Sequence, residues 1–304
     1  MAKGRQLKGR IRSVQNTRKI TRTMELVSTS KLKRAQDRVV AARPYAEALR
    51  EVIADLVTPE LAEGFPLLRR PAAPAKGGPT RAAVILLTSN RGLAGAFNSN
   101  LIKEARRRIE ELEGQGYAVE LYGIGKKGIG FFKYLQRKLA LERIDIGDKP
   151  TAEHAAELAQ PLIDAYSAGQ LASVDLVHAK FVSALTTPPT TARILPVETG
   201  GRAVERSGGR EEAAAAPSRD YILAPSADAI LEQLLPLYVR NMVYRGLVET
   251  AAAEHGARRT AMKNATDNAG EILEVLKRTY NRQRQAGITQ EIAEIVGGAA
   301  ALQG

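Results

Sequence analysis

Apolar positions at the two ends of the chain follow helical periods, and those between them follow strands. From Gln6 to about Leu56 one long helix is predicted. Its apolar or semi-apolar positions are Leu7, Ile11, Val14, Thr17, Ile20, Met24 and Val27. From Leu32 they step alternately by three and four through Ala35, Val39, Ala42, Ala46, Leu49, Ile53 and Leu56, the seam of a coiled coil. A helix of that length spans roughly 75 Å, so most of it needs a partner helix. Pro44 is the one place where a bend is expected. At the other end, Ser226 is a candidate N-cap for a helix running to about Leu302. Its predicted seams are Leu231, Leu235, Tyr238 and Met242, then Met262, Ala265, Ala269, Ile272 and Leu276, then Ile288, Ile292, Ile295, Ala299 and Leu302. Pro236 should bend it early. An antiparallel coiled coil of the two helices buries both sets of seams. The C-terminal helix is the longer, so its tip overhangs.

Between the helices the period changes. Residues 57–81 include FPLLRRPAAPAKGGPT, with four prolines and two glycines, and read as a linker. Continuous apolar runs then predict strands at 82–88, 117–122, 143–146 and 174–182, separated by helices at 98–113, 127–139 and 152–168. Residues 192–197 and 221–223 add edge strands. Such alternation implies βαβ units and a mainly parallel sheet. The fold class is α/β: a long antiparallel coiled coil of N- and C-terminal helices plus a Rossmann-like α/β lobe. The predicted partition is 1–56 helix, 57–81 linker, 82–223 lobe with a low-complexity insert at 198–219, and 224–304 helix.

Charge changes the picture at one end only. The net charge of +12 suggests a nucleic acid or an anionic surface as partner. Residues 1–36, however, hold eleven Lys or Arg and one acid, Glu25, a balance of +10, while the other 268 carry 34 bases and 32 acids. The basic end lacks the continuous apolar run of an export signal, and no cleavage junction of a mitochondrial presequence interrupts its helical pattern. A DNA-reading basic helix followed by a zipper is the alternative from another functional class. Against it, Leu7, Ile11, Val14, Ile20, Met24 and Val27 form an apolar stripe that a groove-reading helix does not need. An acidic protein surface is the better partner.

Candidate chemistry is sparse. The absence of cysteine excludes disulfides, cysteine nucleophiles and thiolate metal sites. Gly123-Ile124-Gly125-Lys126-Lys127-Gly128 matches the dinucleotide-binding turn G-x-G-x-x-G between a strand and a helix. It stands at the second strand rather than the first, and a dependable ribose-binding acid does not follow. A dinucleotide-dependent enzyme is therefore a distant alternative. Ser89–Asn100 leaves the first strand with two glycines, and Asn98 or Asn100 near the next N-cap makes a possible anion cradle. The same residues would serve as a tight turn that caps the helix. Ser28-Thr29-Ser30-Lys31 fits S-x-x-K without its companion motifs. His154, His178 and His255 lack metal-ligand spacing. Catalytic, cofactor-binding and metal-ligating residues are accordingly none, and no cofactor is expected.

The residues at both ends resemble the gamma subunit of F-type ATP synthases. Ile11–Thr21, Met24, Lys31-Leu32 and Arg43-Pro44-Tyr45 follow the family pattern. So do Ala261–Ala269, Tyr280-Asn281, Arg284–Glu291 and Glu294–Gly298, with Ser89–Asn100 and Lys180–Ser183 between the ends. The resemblance implies a central rotor shaft, a non-catalytic subunit that couples proton flow through the c-ring to ATP synthesis or hydrolysis on the alpha and beta subunits. Implied partners are the alpha3beta3 ring, the epsilon subunit and the c-ring, with no nucleic acid. The implied place is the cytoplasmic face of a bacterial membrane, peripherally bound. Matching the motif assigns Arg284, Gln285, Thr289 and Glu291 to contacts with alpha/beta catch loops, and Met24 and Arg258 to a lower coupling region near an acidic lever of beta. Ile288, Ile292, Ile295, Val296 and Leu302 would form an apolar bearing tip. Ala253, Arg259 and Asn90 depart from the usual family residues, and the chloroplast thiol switch cannot operate without cysteine.

Overall fold

The computed structural model describes residues 2–57, 63–69, 80–197 and 226–301, with side chains described from Arg5 to Gly298 within those ranges. The elements in chain order are α1 (Ala2–Leu56), β1 (Arg81–Leu87), α2 (Phe97–Gly114), β2 (Ala118–Ile124), α3 (Lys126–Tyr134) and β3 (Leu139–Arg143). They continue with α4 (Ala152–Ser167), β4 (Leu171–Ala179), β5 (Pro189–Leu195) and α5 (Ala227–Ala301). Ser226 caps α5 as expected, its Oγ accepting from the Ala229 amide at 3.3 Å. Both long helices continue through their prolines, Pro44 and Pro236. The expected strand at 221–223, the insert at 198–219 and Leu302 lie outside the described residues.

The strands form one sheet in the order β3-β2-β1-β4-β5. All neighbouring pairs are parallel except β4 with β5. This is the half-Rossmann order, and it follows from right-handed crossovers through α2, α3 and α4. β1 and β4 lie at the centre, and every residue from Ala82 to Ser89 and from Leu171 to Ala179 is buried. Alternation along β1 divides the core. Ala83, Ile85 and Leu87 join one cluster with α4 residues such as Leu158 and Leu162. Ala82, Val84 and Leu86 join the other with Leu101, Ala105 and Ile109 of α2. The stretch read as a linker contributes too. Leu67 is buried in the first cluster, its carbonyl accepts from the Val197 amide at 2.8 Å, and the Arg69 carbonyl accepts from the Tyr166 hydroxyl at 2.8 Å. Its apolar Phe65 and Leu68 pack against the same cluster, which a reading weighted on prolines and glycines overlooks.

Local expectations shift in two places. The third helix ends at Tyr134 rather than 139, because Gln136 turns at φ 55° and Leu139–Arg143 leaves as an edge strand. Leu139 and Leu141 alternate with exposed Ala140 and Glu142, and the i, i+4 spacing of Leu135 and Leu139 mimics a helix. The strand expected at 143–146 is this one, displaced towards the N-terminus. The seams also rotate. From Leu32 to Leu56 each expected seam residue is buried or half-buried. Before that, Ile20 and Val27 are 61% and 51% exposed, while Thr21 and Ser28 are buried. In α5, Val239 and Val243 are the fully buried positions, with Tyr238 half-buried against the same cluster and Met242 half-buried, and Leu273 replaces Ile272.

The chain divides into two compact units, residues 1–29 with 258–304, and residues 30–257, so both long helices are shared between them. In the first unit α1 and α5 run antiparallel. The hydroxyls of Thr21 and Thr266 lie 2.8 Å apart, and Gly270 passes the Arg18 guanidinium. Each hydroxyl also has a carbonyl one turn back, Arg18 at 3.1 Å and Met262 at 2.8 Å, so both buried groups are satisfied. Met262, Ala269 and Leu273 complete the buried seam on α5. Carried along this register, the start of α1 falls opposite about residue 285 of α5.

In the second unit a carboxylate is buried at the centre of the sheet. Asp175 on β4 is 1% exposed and accepts from Arg108 Nε at 3.0 Å and Arg193 Nε at 3.1 Å. α2, β4 and β5 are thereby tied together, and removing one partner strands a charge. Near the end of β4, burial holds the His178 imidazole below its ordinary value of 6.5, the carboxylate of Glu249 at 3.8 Å opposing that shift. Arg245 and Lys180 act in the same direction as burial.

Arg108→Met is expected to destabilise the fold by about 2–3 kcal/mol in denaturant titration, and Arg193→Met by less, since its side chain is 35% exposed and more easily replaced by water. His178 is neutral when folded and takes up a proton when unfolded below its ordinary value. Stability should therefore be fully present above pH 6.5 and fall as pH drops, by at most about 1.4 kcal/mol per pH unit from this group. Thermal unfolding across that range should lose this component in His178→Gln; an unchanged pH slope in the variant refutes the assignment.

Candidate functional site

The glycine turn is the first place to look for a ligand, because helix N-termini after parallel strands hold phosphates. Here the chain fills that position itself. Thr88, at the end of β1, donates its hydroxyl to the Ile124 carbonyl at 2.9 Å and accepts from the Gly128 amide at 3.0 Å. Asn90 Oδ1 accepts from the Lys126 amide at 3.0 Å, and the Ser89 carbonyl accepts from the Lys127 amide at 3.1 Å. The first amides of α3 are thus engaged by side chains and backbone of the neighbouring loop. The glycines are needed for that approach. Gly125 has φ 96°, and a Cβ there would lie 2.1 Å from the Thr88 carbonyl oxygen; one on Gly128 would lie 2.8 Å from Thr88 Oγ1.

The expected anion cradle at 89–100 is also an internal brace. Ala96, not Asn98 or Asn100, occupies the N-cap position of α2, with no side-chain cap. Asn98 instead turns back, its Oδ1 accepting from the Ser89 amide and its Nδ2 donating to Ser89 Oγ at 2.8 Å. Asn90 uses both ends of its amide: beside the Lys126 contact, Nδ2 donates to the Ile144 carbonyl at 2.8 Å, which a carboxylate cannot do. A cleft of about 470 Å³ remains at the carboxyl ends of the first strands, with Asn90, Asp145, His154 and Glu254 among its walls. Its lining mixes both signs of charge. Among the described residues, no group of three or more His, Asp or Glu is placed to hold a metal ion. No described helix is long and apolar enough to cross a membrane.

Apart from Arg258, the described residues singled out in the last helix share one stretch of it. All positions from Ile288 to Gly298 are exposed. Ile288, Ile292, Ile295 and Val296 are 47%, 56%, 71% and 62% exposed, an unusual density of bare aliphatic surface. At about 100° per residue, these four form a stripe. Arg284 and Glu291 fall on one margin of the stripe and Thr289 on the other, while Gln285 stands within it, one turn before Thr289. All four are exposed, and the Thr289 hydroxyl donates to the Gln285 carbonyl at 3.0 Å. Leu302 lies outside the described residues. Met24 is half-buried and Arg258 is 7% exposed, so Arg258 is part of the packed seam rather than a free cation. Ala253 is fully buried, where a side-chain hydroxyl would need a partner. Arg259 is exposed.

Sequence reasoning missed a second cluster. Lys31 of α1 and His255 of α5 both face Asp148, in the loop before α4, and Arg38 Nη1 donates to the Asp148 carbonyl at 2.9 Å. The available signal was a seven-residue spacing of Lys31 and Arg38, which places both on one helix face.

Comparisons with known proteins point one way. A family profile described as ATP synthase matches residues 3–302. The ATP synthase gamma chain of Gemmatimonas aurantiaca is 62% identical over 304 residues, covering all of both chains. That of Leptospira biflexa is 41% identical over 302 residues, 99% of this chain and 100% of its own. Among solved structures, the fold is similar to a chain of the Euglena gracilis mitochondrial ATP synthase rotor, with a TM-score of 0.64 at 18% identity, covering 94% of this chain and 99% of that one. A chain of the OSCP/F1/c-ring assembly from the same organism gives 0.68 at 19% identity, covering 99% and 95%. At such identities the structures speak to fold, and the end-to-end match to named gamma chains speaks to ancestry. The chain belongs to the ATP synthase gamma chain family.

Proposed function

We propose that this chain is the central rotor shaft of an F-type ATP synthase and has no catalytic site of its own. The observation that carries the reading is the tip of α5: beyond the register of α1, the helix continues with all of 288–298 exposed. A helix that leaves four aliphatic side chains bare is built to be covered by another protein. In this reading the alpha and beta subunits surround the tip, and the epsilon subunit and c-ring hold the lobe. The solved neighbours, chains of a rotor and of an F1/c-ring assembly, support such an arrangement. The complex would lie against the cytoplasmic face of a bacterial membrane, with gamma peripheral to it.

The geometry suits rotation. Aliphatic contact is non-directional, so Ile288, Ile292, Ile295 and Val296 can turn within a sleeve without a preferred angle. Arg284 and Glu291 on one margin, Thr289 on the other and Gln285 at the foot of the stripe supply what the aliphatics lack: directional hydrogen bonds that hold particular angles and release at others. Leu302 would extend the same bearing, and Met24 and Arg258 would serve the lower coupling region near beta. The basic band at 1–36 then faces acidic protein loops. Nucleic acid is a poor fit, because Leu7, Ile11 and Val14 on the same helix are half-buried.

In the assembled enzyme, Arg284→Ala with Gln285→Ala should preserve assembly and slow ATP-driven rotation by about tenfold, the loss of one charge-assisted hydrogen bond of ~1.5 kcal/mol. Unchanged rotation refutes the catch assignment. Affinity capture of the chain from detergent-solubilised membranes should recover alpha and beta subunits in stoichiometric amounts, and their absence overturns the rotor reading.

A further inference from the structure

In the rotor reading, torque that reaches the lobe passes into both long helices, and the contacts that can carry it include those near the end of the compact unit formed by residues 30–257. Asp148 stands at that place. Its carboxylate is paired with the Lys31 ammonium through Oδ2, and His255 Nε2 lies 3.6 Å from Oδ1. Lys31 is the second residue of the unit on α1, and His255 is the third from its end on α5. One side chain of the lobe therefore reaches both helices within a turn of where they pass out of the unit. Arg38, two turns along α1, takes the backbone carbonyl of the same residue at 2.9 Å.

The loop carrying Asp148 is stiff at both ends. On the upstream side, the Ile144 carbonyl accepts from Asn90 Nδ2, and Arg143 pairs with Asp145 at 2.6 Å and with Glu157 at 2.9 Å. Downstream, Pro150 is buried and Thr151 with His154 forms a reciprocal capping box at the start of α4. A residue fixed at both sides to the sheet and to α4 transmits displacement instead of absorbing it. A second loop presses at the same level of α5: a Cβ on Gly256 would lie 3.0 Å from the Ala184 carbonyl oxygen. The ion pair itself is partly exposed, Lys31 at 32% and Asp148 at 40%, so its contribution to folding is small. What distinguishes it is connection, since the lobe meets two helices through one fixed point.

We propose that Asp148 is a positioning residue for torque transfer, the grip by which the lobe holds α1 and α5 together at the end of the unit. This rests on the rotor reading. Losing the carboxylate should loosen the lobe on the helices while leaving both helices and the catalytic partners in place.

The test uses the assembled ATP synthase with a rotation probe attached to the lobe. In Asp148→Ala enzyme, ATP-driven rotation should persist, while the angular spread during catalytic pauses widens. Amide exchange at residues 30–38 and 250–257 should rise about fivefold, as expected for a partly exposed ion pair. Lys31→Asp combined with Asp148→Lys restores the pair with its charges exchanged and should narrow the spread again, which a merely structural role does not predict. An unchanged spread in rotating Asp148→Ala enzyme overturns the grip and leaves the rotor reading intact. Should Asp148→Ala fail to assemble, Lys31→Met is measured in its place, and an unchanged spread with unchanged exchange overturns the proposal equally. If the unmodified enzyme does not rotate, the rotor reading itself falls.

Discussion

One close approach governs the lobe. Where α5 crosses the sheet, Gly246 lies so near β4 that a Cβ there would meet Leu176 Cδ2 at 2.5 Å. A helix that close can use only small side chains at the crossing and larger ones to either side. Leu235, Val239 and Val243 fill the core before the crossing, and Val248, Ala252 and Ala253 after it. The helix thus contributes to both halves of the core while remaining unbroken. β1 and β4, packed against helices on both faces, are buried almost along their whole length.

The same helix changes its chemistry along its length. Over residues 231–253 it packs as a lobe element, with large aliphatics against strands. In the other unit its seam is narrower and partly polar, Met262, Thr266, Ala269 and Leu273 facing a stretch of α1 that includes Thr21 and Ser28. Hydroxyls in a coiled-coil seam contribute less burial than leucine, and they fix register, because the Thr21 and Thr266 hydroxyls can bond to each other only when opposite. A shaft has more use for a fixed register than for maximal stability.

Much of this was legible in the sequence. The run of Leu32, Ala35, Val39, Leu49, Ile53 and Leu56 located the buried face of α1, since a sustained three-four spacing of aliphatics is the mark of a helix packed on one side. The apolar run at 82–88 identified the central strand, its length and lack of alternation matching a strand covered on both faces. Seams built from threonine and serine were missed, because hydrophobic periodicity does not count a buried hydroxyl, and Ile20, Val27 and Ile272 drew attention one position away. β3 was misplaced because an edge strand with two leucines imitates a turn of helix. The contacts of Asp148 were beyond reach: Lys31 and His255 are 117 and 107 residues distant in the chain, and nothing local marks their meeting. The roles proposed for Arg284, Gln285, Thr289 and Glu291 rest on family resemblance alone, since exposed side chains on a uniform helix carry no packing signal.

The turn at Gly123–Gly128 has a consequence for the lobe as a whole. Thr88 and Asn90 occupy the amides that related turns offer to a phosphate. With that seat taken by its own side chains, the turn acts as a clamp that joins the end of β1 to the start of α3, so the lobe is tied together at the point where related folds open to a ligand.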